Sequence, residues 1–158
     1  MVQGDASHLA IAEELTGNVI NLEGHDLVSM PLAFADTAST TCLHVPSIGL
    51  IVAGHAPYNG VHPQLSESPD QQKRQEWMDC WIKWSRLYKP RAVIAGHKRV
   101  GNDGSPGILG ETRKYIRDFE RLAIQTTTAQ ELFDEVPRLY PDWGNRGALW
   151  SSLRAIKT

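Results

Sequence analysis

The stretch IVAGHAPYNGVHPQL, residues 51–65, decides the fold of this chain. Its apolar start predicts a buried strand that ends at Gly54, and His55 follows the glycine directly. The same pattern returns in VIAGH, residues 93–97, and sets His97 at the end of a second strand. Imidazoles at two such strand ends would lie on the rim of a sheet, where ligand-binding side chains are commonly held. The repeat indicates a metal site or the remnant of one. Taken alone, each histidine is also explained as a residue that bonds to a nearby carbonyl at the end of its strand.

The segments around this stretch predict an α/β fold. Two hairpins are predicted, the first from residues 18–22 and 26–30 and the second from residues 41–45 and 50–54. The remaining predicted elements are a short helix at 7–15, a helix at 69–88 capped by Ser68, a strand at 92–97, a loop at 98–110 near the site, and helices at 111–124, from Thr128, and at 148–156. The apolar face of the tryptophan-rich helix comprises Trp77, Cys80, Trp81, Trp84, Leu87 and Tyr88.

Composition narrows the class of protein and its partners. A chain of 158 residues with 41% hydrophobic content fits one domain with one core. The net charge of −2 argues against nucleic acid, and no segment approaches the roughly 18 apolar residues of a membrane helix. Cys42 and Cys80 both fall on apolar faces and are predicted to be packed thiols. We therefore expect a cytoplasmic protein that meets neither nucleic acid nor membrane, and whose partner is a small-molecule ligand or another protein.

Four segments resemble the metallo-β-lactamase-fold hydrolases. They are DTASTTCLHVPSIGLIVAGHAPYNGVHPQL (36–65), RAVIAGHKR (91–99), ETRKYIRDFERL (111–122) and YPDWGNRGALW (140–150), in the order and spacing of the second half of that fold. The resemblance implies half of a sandwich in which two sheets pack face to face with helices outside. It also implies an edge site with one or two zinc ions, where a metal-bound hydroxide attacks an ester, thioester, lactam or similar bond.

The family's metal ligands match this chain only in part. Its H-x-H-x-D-H motif is absent from the sequence, and counting back from LHVP assigns Phe34 to the next ligand position. His55 stands where the family has a carboxylate that bridges two metals, and a neutral imidazole binds one ion without bridging. His97 matches the last ligand. The candidate metal set is His97, His55 and Asp36, with Asp36 also explained as a turn residue, and we expect either no zinc or a single weakly bound zinc.

The resemblance also implies a substrate pocket beside the metal site. Its candidate residues are Tyr58, Asn59, His62 and Lys98, of which His62 matches a residue near the pocket mouth in related hydrolases. With most zinc ligands missing, two functions stay open. One is a hydrolase or lyase of small metabolites, for example in a biosynthetic pathway, that acts through a reduced metal site or with ligands lent by a second chain. The other is a non-catalytic protein that keeps the pocket for binding or the fold for association.

The expected domain is a single truncated one over residues 1–158. It comprises a lead-in (1–17), a sheet (18–97) that includes the helix at 69–88, the loop 98–110, and C-terminal helices (111–158). Half of a sandwich leaves one sheet face uncovered, and a large exposed apolar patch promotes association. We therefore expect a homodimer or another protein chain to cover this face.

Overall fold

The computed structural model describes residues 13–32, 34–68 and 70–157. The strands are β1 (Val19–Leu22), β2 (His25–Pro31), β3 (Thr41–Val45), β4 (Leu50–Asn59) and β5 (Ala92–Lys98). The helices are α1 (Gln71–Tyr88), α2 (Ile108–Gln125), α3 (Ala129–Leu139) and α4 (Arg146–Ile156). The α/β class is confirmed, whereas the helix predicted at 7–15 falls mostly on residues outside the described ranges.

The strands form one mixed sheet in the order β1-β2-β3-β4-β5. Neighbours from β1 to β4 pair antiparallel, which confirms both predicted hairpins. The chain then crosses over through α1, and β5 pairs parallel with β4. This crossover makes β4 and β5, the two strands that carry the glycine-histidine pairs, direct neighbours.

One face of the sheet builds the core together with α1 and α2. Its buried side chains are Met30, Cys42, Ile51, Ala53, Val93 and Ala95. Trp77, Trp81 and Trp84 of α1 are buried against them, as predicted, and so are Tyr115, Ile116, Phe119 and Leu122 of α2. Cys42 and Cys80 are free thiols, and Cys42 donates a hydrogen bond to the carbonyl of Ala53. The tryptophan-rich face therefore anchors the sheet to its helical layer.

The opposite face of the sheet is apolar and open. Ser29, Leu43, Val52 and Ile94 are register partners across four strands and define its central row. Val52 and Ile94 are 39% and 38% exposed, and Ile20 and Leu22 on β1 are 44% and 58% exposed. We call this set of side chains the open face. Its exposure agrees with the half-sandwich architecture expected from the sequence.

Several element boundaries differ from the prediction. Strand β4 continues past His55 to Asn59, because a register shift after Gly54 lets the chain resume pairing with β5 at Tyr58. Helix α1 begins at Gln71 with Asp70 as N-cap, since the Asp70 carboxylate accepts from the Lys73 amide.

The predicted cap and one predicted core residue of α1 are therefore wrong. The Ser68 hydroxyl donates to the Ala35 carbonyl and is not available as a cap. Leu87 is 63% exposed, so the apolar face of α1 is narrower than its sequence suggests. In the described part of the chain, none of the helices has the length and apolar character needed to cross a bilayer.

Candidate metal centre

Three potential metal ligands converge from three separate segments. Asp36 lies in the connection between β2 and β3, His55 lies in β4, and His97 lies in β5. The Nε2 atom of His97 is 3.2 Å from Nδ1 of His55, and that Nδ1 is 3.5 Å from Oδ2 of Asp36. One ligand atom from each residue lies within 4.8 Å of the other two. The structure thus brings together the candidate metal set predicted from the sequence.

The glycine before each histidine explains how the two imidazoles meet. A Cβ atom added to Gly96 would lie 3.0 Å from the carbonyl oxygen of Gly54. Gly54 also has φ +54°, a conformation that side chains other than glycine rarely adopt. Strands β4 and β5 can therefore approach closely at this point, and the two imidazole rings meet edge to face with centroids 4.7 Å apart.

Asp36 is the buried member of the set. It is 6% exposed, and its Oδ2 accepts a 2.7 Å hydrogen bond from the Tyr58 hydroxyl. Its Oδ1 is buried and has no hydrogen-bond partner among the residues that the structure describes. Burial raises the pKa of this carboxyl, while Tyr58 and the two histidines oppose the increase. A buried carboxylate with an unsatisfied oxygen is costly, and a nearby cation would relieve that cost.

The donor set fits one zinc ion. Tetrahedral zinc with bonds of about 2.0–2.1 Å separates its ligand atoms by about 3.3–3.4 Å. The 3.2 Å and 3.5 Å separations lie on either side of that value. Two imidazole nitrogens with one carboxylate oxygen are also the protein ligands of many catalytic zinc sites. The three side chains therefore have the chemistry of a single zinc site, with two of their three ligand-atom separations close to the tetrahedral value and the third within 4.8 Å.

The site opens into a cavity of about 640 Å³. Besides the three candidate ligands, its lining comprises Thr37, Tyr58, Gln64, Glu67, Asn145, Gly147, Ala148 and Ser151. Gln64 donates to the Ser151 hydroxyl, which joins the segment after β4 to α4. The cavity walls thus combine hydroxyl, amide and carboxylate groups with the exposed His55 ring, whose side chain is 64% accessible.

The candidate substrate residues lie in different surroundings. Tyr58 lines the cavity, but Asn59 is buried and bonds to the backbone of Asp103 and to the amide of Asn102. His62 is fully buried with Nδ1 3.0 Å from the Tyr115 hydroxyl. Lys98 donates to the carbonyl of Asn102. The last three are not among the residues that line the cavity, and as substrate contacts they remain predictions.

Phe34, which counting back from LHVP places at the family's ligand position, carries no metal-ligating atom. Phe34 is buried, with the Lys73 ammonium 5.3 Å above its ring. The side chain from this segment that reaches His55 is Asp36, two residues later. The alternative explanation of Asp36 as a turn residue does not account for its shortest hydrogen bond, because its Oδ2 accepts from the Tyr58 hydroxyl in β4. Sequence reasoning overlooked Gln64, Asn145 and Ser151, although Gln64 and Asn145 lie within segments that carried the resemblance.

Comparison with known proteins identifies the fold. No family model matches the sequence, and no curated protein matches it. A metallo-β-lactamase family protein from Thermus thermophilus superposes with a TM-score of 0.61 at 17% identity, over 91% of this chain and 47% of that one. A stereoselective inverting sec-alkylsulfatase from a Pseudomonas species gives 0.56 at 16% identity, over 93% and 26%. A β-lactamase domain protein from Burkholderia ambifaria gives 0.56 at 10% identity, over 94% and 44%.

This chain therefore has part of the metallo-β-lactamase fold, as the four sequence segments predicted. It spans less than half the length of each of these three solved structures.

Proposed function

We propose that this chain is a metallo-β-lactamase-fold hydrolase unit in which Asp36, His55 and His97 hold a single Zn²⁺. The observation that carries the proposal is the spacing of their ligand atoms, 3.2 Å and 3.5 Å. Zn²⁺ held there would polarise a substrate carbonyl and lower the pKa of a water molecule. A single ion also agrees with His55, because an imidazole does not bridge two metals.

The residues around the ligands support hydrolysis of a small molecule. Asp36 supplies one negative charge from a buried position, so the site keeps a net positive charge toward the cavity once a divalent ion is bound. Gln64 and Ser151 offer hydrogen bonds on the opposite wall. The cavity of about 640 Å³ suits a ligand of metabolite size. We infer an ester, thioester or lactam of that size as substrate.

Metal content tests this proposal directly. The purified chain, equilibrated with Zn²⁺ and desalted, is expected to retain about one equivalent by elemental analysis, since three protein ligands suffice for a catalytic site. Asp36→Asn and His97→Ala should each lose most of that metal. His25→Ala is the matched control, because His25 is an exposed histidine at the start of β2 and lies outside the metal set.

Turnover of an ester, thioester and lactam panel completes the test. Zinc-dependent hydrolysis that disappears in His97→Ala supports the proposed function. Retention of well under half an equivalent by folded wild-type protein would overturn it.

A second candidate function is supported by the open face. Ile20, Leu22, Leu43, Val52 and Ile94 form an uncharged apolar surface on the side of the sheet away from the helices. We propose that a second copy of this chain covers it, so that association is part of the function. Bound zinc without turnover on the substrate panel would favour this non-catalytic role over hydrolysis.

A further inference from the structure

Tyr58 contacts two of the three candidate metal ligands at once. Its hydroxyl donates to Oδ2 of Asp36 at 2.7 Å. Its ring stacks on the imidazole of His97 with centroids 5.0 Å apart and planes 10° from parallel. The stacking contact follows from the pairing of β4 with β5, in which Tyr58 and His97 are register partners. One side chain thus limits the movement of ligands from two different segments.

Tyr58 is itself held in place by the core. Its amide donates to the Thr112 hydroxyl at 3.0 Å, and that hydroxyl donates to the Tyr58 carbonyl at 3.1 Å. Thr112 lies in α2 and is fully buried. The Tyr58 ring also meets Trp77 of α1 edge to face, with centroids 6.3 Å apart. Two helices therefore fix this residue, which is 1% exposed.

The Asp36 carboxylate depends on this tyrosine for its orientation. Within the described ranges its Oδ1 has no hydrogen-bond partner, and the contact of its carboxylate with Nδ1 of His55 is the longer one at 3.5 Å. The Tyr58 hydroxyl therefore makes the shortest bond that restrains rotation of the carboxylate. Without it, the carboxylate could turn away from the imidazoles, and a metal ion would have to reorder it on binding.

We propose that Tyr58 is a positioning residue that orients Asp36 and His97 for the metal, rather than a substrate contact. This inference rests on the proposed function, because it concerns the same site. Partners of this kind, which hold metal ligands without touching the metal, typically change metal affinity about 10–100-fold when they are removed. The stacked ring and the hydroxyl have separable effects, since phenylalanine keeps the first and removes the second.

Tyr58→Phe tests the hydroxyl. Zn²⁺ affinity is measured by competition with a chromophoric chelator, and the ligand geometry by the visible absorption of the Co²⁺-substituted chain. We expect affinity to fall about 10–100-fold and the Co²⁺ spectrum to change in position or intensity. Circular dichroism and a thermal melt of the metal-free variant establish that it is folded at the assay temperature.

Tyr140→Phe is the matched control. The Tyr140 hydroxyl also donates to an aspartate oxygen, Oδ2 of Asp118, at 2.7 Å, but neither residue lines the cavity. This variant should lose thermal stability and keep wild-type metal affinity.

The outcomes separate the two proposals. If wild-type protein binds no zinc, the proposed function fails and the role of Tyr58 fails with it. If wild-type protein binds zinc and Tyr58→Phe matches it within about twofold with an unchanged Co²⁺ spectrum, the proposed function stands and the positioning role is overturned. An equal loss of affinity in Tyr140→Phe would also overturn it, because the effect would then reflect general destabilisation.

Discussion

At the scale of single residues, His62 shows how burial and a nearby positive charge can set a protonation state. The ring is fully buried, its Nδ1 is 3.0 Å from the Tyr115 hydroxyl, and its Nε2 has no hydrogen-bond partner in the described part of the chain. Burial, together with the positive charge of Arg146, lowers the pKa of His62 to about 4. The folded chain therefore keeps this imidazole neutral in a pH range where the unfolded chain would protonate it.

This difference makes stability depend on pH. Below the ordinary histidine pKa of 6.5 the unfolded state binds more protons, so stability should fall as pH decreases from about 6.5 to 4. His62→Asn removes the titration and keeps a polar atom near the Nδ1 position. We expect the loss of unfolding free energy between pH 7 and pH 5 to be about 2 kcal/mol smaller in the variant.

Urea unfolding at both pH values measures this loss, with exposed His25→Asn as the control. If the unfolding free energy of the wild type and of His62→Asn changed with pH in parallel, the pH dependence could not be assigned to His62.

The ligand residues could be chosen from the sequence, but their arrangement could not. The glycine-histidine repeat identified His55 and His97, because it is a local pattern. Counting back from LHVP reached Phe34, which cannot bind a metal, so Asp36 entered the candidate set only as a nearby carboxylate. The orientation of Asp36 is set by Tyr58, 22 positions away in sequence, through a hydrogen bond that no local pattern encodes.

At the scale of elements, the close approach of β4 and β5 depends on glycine. Gly96→Ala would bring a methyl group within 3.0 Å of the Gly54 carbonyl oxygen, a backbone atom that cannot rotate away. We expect the strands to separate locally and the unfolding free energy to fall by about 1–3 kcal/mol. Because Gly96 precedes His97, metal affinity should fall as well. Chemical denaturation and the zinc competition assay measure the two effects.

Gly110→Ala controls for the loss of backbone freedom in the same substitution. Gly110 lies in α2, and a Cβ atom there would have open space around it. Alanine favours helix, so this variant should gain about 0.5–1 kcal/mol. If Gly96→Ala were as stable as Gly110→Ala, close strand approach would not be the reason for the glycine.

Element types were more predictable than element ends. The two hairpins, the tryptophan-rich helix and the Thr128–Glu131 capping box of α3 are local features, and the structure confirms them. The end of β4 was missed because the register shift at Gly54 depends on its neighbour β5. The cap of α1 was missed because the Ser68 hydroxyl bonds to Ala35, a residue distant in sequence.

At the scale of the whole molecule, the half-sandwich was predictable and the cavity was not. The order of the four resembling segments predicted which half of the fold is present, and the superpositions show that the chain has part of this fold. The cavity wall opposite the candidate ligands comes from Gln64 and from α4, which meet through Ser151. That contact joins residues 87 positions apart, so only the folded chain reveals it.

The open face gives the whole molecule a reason to associate. Leu43, Val52 and Ile94 are neighbours on three adjacent strands, and none carries a charge that would oppose contact between two copies. Two sheets stacked face to face would remove these side chains from water on both partners. In sedimentation velocity at micromolar concentration we therefore expect the wild-type chain to be a dimer.

Val52→Lys should turn the dimer into a monomer, because Val52 is central to the row and pairing would bury an uncompensated ammonium group on each partner. In the monomer this ammonium stays hydrated, since Val52 is already 39% exposed, so the fold should survive. Ile124→Lys introduces the same charge at a position 86% exposed on α2, away from the sheet, and should leave the dimer intact. A wild-type chain that sediments as a compact monomer at these concentrations would show that the open face does not bind a second copy. Equal dissociation of the two lysine variants would instead point to net charge as the cause.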